Sequence, residues 1–164
     1  MNNMIKVLLV VFISFLSSPS WSETVTKDDL VNRDGLYYKK FTDVPFTGKV
    51  TGQRNGKVKN GKRDGLWRFY RENGQLMVKG TYKNGKDHGL HQEYHENGKL
   101  WKSIMFKDDE YDGLYQEYYK NGQLWYQGQY EDGKQEGCWR WYHKDGSDRG
   151  TSLFKNDKRQ GDCP

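Results

Sequence analysis

Two glutamates, Glu93 and Glu117, are 24 residues apart and offer the chemistry that a glycosidase needs. Glycoside hydrolysis commonly uses two carboxylates, one as the acid and the other as base or nucleophile. Both glutamates, however, fall at the same position of a sequence repeat, whereas catalytic residues usually interrupt a repeat. We interpret them as a solvated ladder, assign no catalytic residue, and keep a glycosidase-like enzyme only as a third hypothesis.

Histidines and acidic residues offer two sets of potential metal ligands. His91 and His95 share a face of a strand, but four residues of extended chain place them about 13 Å apart, too far to share one zinc ion. The acidic run 108–112 resembles the start of a calcium loop, yet its twelfth position is Tyr119, where a bidentate glutamate is needed. The sequence predicts no metal site and no cofactor.

Aromatic side chains are the stronger candidates for function. They recur in columns on what alternation predicts to be a partly polar sheet face, and Arg149 opposite Trp141 would permit a cation–π contact. Tryptophan, tyrosine and arginine are enriched at binding hot spots. The rings could instead cover one another and lysine stems, or stack on sugars. The candidate partner-binding residues are Trp67, Trp101, Tyr115, Trp125, Trp139 and Trp141.

Two cysteines, Cys138 and Cys163, lie in the last quarter of the chain, about one repeat apart. In an oxidising compartment such a pair can form a disulfide. Closing a loop of about 25 residues is worth ~3.5 kcal/mol by loop-closure entropy. We predict a bridge that closes the C-terminal end of the repeats; the alternative is two unpaired, small apolar residues.

The start of the chain predicts export. Lys6 precedes an apolar run, Val7–Leu16, and small residues precede Glu23, as in a signal peptide. The run is too short for a bilayer, which requires about 20 apolar residues. We interpret residues 1–22 as a signal peptide cleaved near Ser22, giving a periplasmic or secreted protein. A retained membrane anchor is the alternative.

The net charge of +5 is modest, and basic and acidic residues are interspersed along the chain. Proteins that bind nucleic acid usually concentrate lysine and arginine in a patch or stripe. The charge pattern therefore indicates a solvated surface rather than a nucleic-acid interface, and export argues against nucleic acid as well.

A 24-residue period organises residues 65–161. Each unit contains two short runs rich in aromatic and aliphatic residues, bounded by glycine with asparagine or aspartate, the pattern of β-hairpins. Such a period predicts stacked copies of one small unit. We divide the mature chain into a leader with a degenerate first repeat or cap (23–64) and four hairpin repeats with a C-terminal cap (65–164). The glycines at period 24 are Gly65, Gly89, Gly113, Gly137 and Gly161.

The predicted fold is all-β, a single-layer antiparallel meander of tandem hairpins that twists and curls. A three-residue loop ending in glycine is a common hairpin closure, and it would pair Tyr70 with Leu76 and Tyr94 with Leu100. Strict alternation then gives a buried face with Leu66 and Tyr82. The opposite, mixed face carries the columns that begin with Trp67, Phe69 and Met77. Gly80 and Gly128 should leave room for a ring over the backbone.

The repeat resembles the MORN-repeat-variant unit. The residues that carry this resemblance are Asp-Gly-Leu-Trp/Tyr-x-x-Tyr-x-x-Asn-Gly-Gln/Lys-Leu, followed by Gly-x-Tyr-Lys-Asn-Gly-Lys. The segments 33–38 and 45–50 look like the usual opening of such proteins. Bacterial members of the family are often described as antitoxins, and MORN arrays elsewhere are implicated in protein contacts and lipid association. No catalytic residue is implied.

These patterns predict an exported, non-catalytic repeat module that binds a protein or an envelope component. A protein is the expected partner, and a carbohydrate or lipid surface is an alternative. The second hypothesis is an antitoxin or immunity-type protein that neutralises a partner toxin.

Overall fold

The computed structural model describes residues 23–164; the predicted signal peptide, residues 1–22, lies outside the described residues. Apart from a short 3₁₀ turn at Lys27–Asp29, the regular elements of the described residues are strands. They are β1 (Glu23–Thr26), β2 (Leu30–Arg33), β3 (Leu36–Lys39), β4 (Gly48–Thr51), β5 (Arg54–Lys59), β6 (Lys62–Tyr70), β7 (Leu76–Lys83), β8 (Lys86–Tyr94), β9 (Leu100–Lys107), β10 (Glu110–Tyr118), β11 (Leu124–Glu131), β12 (Lys134–Tyr142), β13 (Asp148–Lys155) and β14 (Lys158–Gly161).

One open sheet contains 12 of these strands, in the order β1-β4-β5-β6-β7-β8-β9-β10-β11-β12-β13-β14. From β4 onward each strand pairs antiparallel with its successor, so the predicted meander of tandem hairpins is confirmed. The exception is β1, which pairs parallel to β4 at the N-terminal edge.

The N-terminal segment packs against the first hairpins. Strands β2 and β3 form a separate two-stranded hairpin, and Leu30 and Tyr37 from this hairpin contact an apolar cluster of the large sheet. That cluster consists of Val25, Phe46, Val50, Val58, Trp67 and Tyr82. The N-terminal segment, residues 23–64, therefore covers the start of the repeats.

Each repeat hairpin closes as predicted but contains a bulge directly after the closing pair. Tyr70 pairs with Leu76, as expected, but Phe69 pairs with Val78, so Met77 is an extra residue in β7. The same shift recurs in the next three hairpins. The extra residues are Met77, Trp101, Trp125 and Arg149.

This bulge corrects the predicted assignment of sheet faces. A one-residue shift transfers the following residues of the second strand to the opposite face, so Val78 and Tyr82 join Trp67. The buried side is this core face, defined by Trp67, His91, Tyr115 and Trp139, which are exposed by no more than 6%. The prediction that the leucine column is buried is wrong: Leu66, Leu90 and Leu114 lie on the outer face and are 40–44% exposed.

Glycines make space for the rings of the core face. A Cβ atom added at Gly80 would overlap the His91 ring, and one added at Gly128 would overlap the Trp139 ring. The expectation that these glycines accommodate rings is therefore confirmed. These rings belong to the column of His91 and Trp139, which strict alternation predicts on the face opposite the glycines. The bulge shifts Gly80 and Gly128 to that face together with the residues that follow it in their strands.

The periodic glycines bend the first strand of each unit. Asp87 and His91 of β8 are four residues apart, but their partners in β7, Tyr82 and Gly80, are two residues apart. Strand β8 therefore contains two extra residues in this segment. Gly89 lies inside this irregular segment with a φ of 83°, a conformation that glycine adopts without steric cost.

Candidate partner-binding surface

Three of the six candidate binding residues lie in the core and not on the surface. Trp67 is 2% exposed, Tyr115 is 6% exposed and Trp139 is 0% exposed. Trp67 donates its indole N–H to the carbonyl of Lys57 at 2.9 Å. Their placement on a partly exposed face was wrong because the hairpin bulges, which sequence alternation does not reveal, turn that face inward.

Trp101 and Trp125 occupy the bulge positions of successive hairpins and are half-buried. The Trp101 ring lies 5.8 Å from the ring of His95, and the Trp125 ring lies 5.5 Å from that of Tyr119. His95 and Tyr119 are equivalent positions of consecutive repeats, so the repeat presents the two indoles in similar surroundings.

A buried carboxylate links these indoles to the core. Glu117 is 7% exposed, and its Oε1 accepts the indole N–H of Trp101 at 3.0 Å. Its Oε2 accepts the hydroxyls of Tyr115 at 2.9 Å and Tyr126 at 2.6 Å. No basic side chain of the described residues forms an ion pair with it. The carboxylate accepts hydrogen bonds from neutral donors, and these bonds restrict the side-chain rotamers of Trp101, Tyr115 and Tyr126.

The hydroxyls in this cluster resist ionisation. Burial, followed by the hydrogen bond to Glu117, raises the pKa of Tyr126 to about 12. Burial also raises the pKa of Tyr115, and its contacts with Tyr126 and Glu117 act in the same direction. Both tyrosines therefore remain neutral donors at physiological pH.

The structure separates the roles of Glu93 and Glu117. Glu93 pairs with Val78 and Lys102, and Glu117 pairs with Lys102 and Tyr126, so the two carboxylates belong to strands on either side of β9. The predicted solvated ladder is wrong for Glu117, because its carboxylate is buried and bonded to three donors.

An open cleft of about 380 Å³ continues this surface toward the C terminus. Trp125, Trp141 and Arg149 line it together with residues 150–152. Trp141 pairs with Gly150 and not with Arg149, because Arg149 is the bulge residue; no cation–π contact between Arg149 and Trp141 occurs in the described part of the chain. We call Trp101, Trp125, Trp141 and Arg149 the aromatic strip.

The histidines of the second repeat stabilise the fold. Nε2 of His91 lies 2.9 Å from the carbonyl oxygen of Thr81, and Nε2 of His95 lies 2.9 Å from that of Tyr118. No cluster of three or more potential metal ligands occurs within residues 23–164.

Equivalent side chains connect each hairpin to the next. Position 71 and its counterparts one and two repeats later all contact the carbonyl of the tyrosine that ends the following unit's first strand. The donor changes from arginine to histidine to tyrosine, but the contact is kept. The contacts are Arg71 to Tyr94, His95 to Tyr118 and Tyr119 to Tyr142, at 2.9, 2.9 and 3.0 Å.

A disulfide joins Cys138 to Cys163, with the Cα atoms 5.8 Å apart. Cys138 lies in β12 and Cys163 follows β14, so the bridge spans the last strands of the sheet. The bridge links the C-terminal residues that follow β14 covalently to β12.

A cation enclosed by rings was not predicted from the sequence. The guanidinium of Arg63 lies 5.1 Å from the ring centre of Tyr82 and 5.4 Å from that of Trp67, and Nη2 donates to the Tyr37 hydroxyl at 3.0 Å. Arg63 precedes the first repeat glycine and has no distinctive local motif. Only the packing of β3 beside the sheet brings these groups together.

Comparison with known proteins identifies the repeat. The MORN repeat variant family matches residues 63–84, 87–108 and 111–132. Each match covers the first strand of one unit and the hairpin strand that follows it. The three matches are consecutive and lie in the middle of this chain. The resemblance inferred from the Asp-Gly-Leu and Asn-Gly motifs is confirmed. A comparison with curated protein sequences gives no match.

Solved structures give only a distant likeness. A mutant of S. aureus TarM, crystallised with fondaparinux, alpha-GlcNAc-glycerol and UDP, is 14% identical over 60% of this chain, with a TM-score of 0.40. A second TarM structure is 14% identical over 64%, with a TM-score of 0.39. The matching region spans 20% of each TarM chain.

No helix among the described residues is long and apolar enough to cross a membrane.

Proposed function

We propose that this protein is an exported, non-catalytic binding module whose aromatic strip docks a protein partner in the cell envelope. The observation that carries the proposal is the open cleft shared by Trp125, Trp141 and Arg149. The half-buried Trp101 occupies the bulge position equivalent to Trp125 in the preceding hairpin. Tryptophan and arginine are the residue types that most often dominate interface energies.

The strip is preorganised for binding. Trp101 is anchored by its hydrogen bond to Glu117, and Trp125 packs against Tyr119 and Tyr126 at ring distances of 5.5 and 5.0 Å. Rings that are already fixed lose little side-chain entropy when a partner binds. A rigid aromatic surface of this kind favours a specific protein contact.

The decisive experiment compares two double variants in capture from an envelope fraction. Trp101→Ala/Trp125→Ala removes two of the four side chains of the aromatic strip, whereas Leu90→Ala/Leu114→Ala removes two apolar side chains of the outer face from the same repeats. We expect the tryptophan variant to lose the partner and the leucine variant to retain it, with thermal unfolding measured for both. Retention by the tryptophan variant, or loss only in the leucine variant, would refute the proposal.

Export has a separate test. Cleavage near Ser22 predicts that the protein isolated from the cell begins at Glu23, measured by intact mass after fractionation. A chain that keeps residues 1–22 and remains with the membrane would support the anchor hypothesis instead.

The second candidate is a neutraliser of a toxin, since the same aromatic strip would serve to mask a toxic partner. This hypothesis requires a neighbouring gene that encodes a toxin. It also requires that deletion of the gene for the protein described here, with the neighbouring gene left intact, impairs growth. A binding module without such a role would show neither effect, so one deletion strain separates the two hypotheses.

A further inference from the structure

A second, smaller pocket lies at the other end of the molecule, where the N-terminal hairpin meets the sheet. Its volume is about 190 Å³. It combines residues from β2 and β3 with residues from β4, β5 and β6, and most of them lie outside the periodic part of the chain. The lining residues are Lys27, Leu30, Asn32, Tyr37, Val50, Arg54 and Trp67.

The walls of this pocket are mainly apolar and held in place. Leu30 and Tyr37 of the hairpin face Val50 and Trp67 of the sheet. The Trp67 indole is fixed by its bond to the carbonyl of Lys57. A dry cavity of about 150 Å³ accommodates benzene in another protein, so this pocket has room for one aromatic ring.

The charged groups of the pocket are all basic. Lys27 and Arg54 line it, no carboxylate does, and neither cation forms an ion pair within residues 23–164. The neighbouring Asp29 carboxylate is engaged by the backbone N–H and the hydroxyl of Thr26. A guanidinium matches a carboxylate with two parallel hydrogen bonds.

We propose that this pocket binds a small carboxylate that carries a single aromatic ring, an arylalkanoate. The ring packs between the hairpin and Trp67, and the carboxylate pairs with Arg54 and Lys27 at the mouth. The site is distinct from the aromatic strip, which begins in the second repeat, so either proposal can fail without affecting the other.

The test is titration of the purified protein with 3-phenylpropionate and, separately, with the neutral 3-phenylpropionamide, followed by NMR. We expect the acid to bind about tenfold or more tightly than the amide, because a carboxylate forms charge-assisted hydrogen bonds with Arg54 and Lys27 that a neutral amide does not. The indole N–H of Trp67 should shift on binding. Equal affinity for acid and amide, or no shift at Trp67 at millimolar acid, would overturn the proposal.

Charge variants locate the site. Arg54→Gln and Lys27→Gln should each weaken binding of 3-phenylpropionate several-fold. The matched control is Arg68→Gln, which removes an exposed positive charge from the outer face of the adjoining strand β6 and should leave the affinity unchanged. Equal losses in Arg54→Gln and Arg68→Gln would show a general charge effect and refute the pocket; the lysine variant remains informative if Arg54→Gln fails to fold.

Discussion

At the scale of single residues, Glu117 illustrates how this fold tolerates a buried charge. Burial of an ionised carboxylate is costly unless donors replace its water. Trp101, Tyr115 and Tyr126 supply those donors, and each ring is thereby oriented. The same residue thus stabilises the core and positions one indole of the aromatic strip.

Glu117→Gln should destabilise the protein by about 1–3 kcal/mol, because the amide nitrogen cannot accept a hydrogen bond and leaves at least one buried donor unpaired. Urea unfolding measures the change. The matched control is Glu93→Gln at the equivalent position of the preceding repeat, where the side chain is less buried, and its effect should be clearly smaller. Equal losses in the two variants would contradict the role given to the Glu117 cluster.

Alkaline pH should unfold the protein progressively. The pKa values of Tyr126 and Tyr82 are raised to about 12, mainly by burial, whereas tyrosine in an unfolded chain titrates near pH 10. A raised folded-state pKa gives stability that is complete below about pH 10 and is lost as the pH rises toward 12. The Tm should fall over this interval, and less steeply in Tyr126→Phe; an unchanged slope in that variant would be inconsistent with this assignment.

At the scale of elements, the hairpin bulge decides which face becomes the core. Closing pairs such as Tyr70 with Leu76 are in register, yet Phe69 already pairs with Val78. The extra residue sends Gly80 and Gly128 to the side of the large rings. It also turns Trp101 and Trp125 into bulge residues at the rim of that face.

Gly128→Ala should cost about 3 kcal/mol, because the new methyl group overlaps the fully buried Trp139 ring and overpacking of a core is destabilising. Chemical denaturation measures this cost. In a double-mutant cycle, Trp139→Leu should reduce the penalty of Gly128→Ala, since the smaller side chain frees space. Additive effects of the two changes would argue against steric conflict as the cause.

At the scale of the whole molecule, stability arises from contacts between consecutive strands. Every strand of the large sheet from β5 to β13 pairs with its sequence neighbours on both sides, so the sheet behaves as a linear array of nearest-neighbour interfaces. The two ends differ from the interior: a parallel strand and a packed hairpin cover one, and the Cys138–Cys163 bridge restrains the other.

Reduction of that bridge should lower the free energy of unfolding by up to ~3.5 kcal/mol, the value for a loop of about 25 residues. Thermal unfolding with and without reductant measures the loss, and mass spectrometry of the unreduced protein reports whether the bridge is present. In Cys138→Ser/Cys163→Ser, reductant should have no effect. A Tm that reductant leaves unchanged in the native protein would contradict a stabilising bridge.

The sequence by itself determined the repeat, the order of the strands within the repeats and the hairpin closures. These depend on local chemistry: Asn-Gly turns, periodic glycines and paired apolar runs act over a few residues, and a 24-residue period repeats the result. It also identified Trp101, Trp125 and Trp141 as binding candidates.

Tertiary structure alone decided which face is buried, and with it the fate of Trp67, Tyr115 and Trp139. One added residue reverses which face the following side chains of a strand occupy. The bulge position has no distinctive residue type, because methionine, tryptophan and arginine all occupy it in different hairpins. The donors around Glu117 and the basic pocket beside Trp67 likewise depend on side chains from separate strands, whose proximity is created by packing.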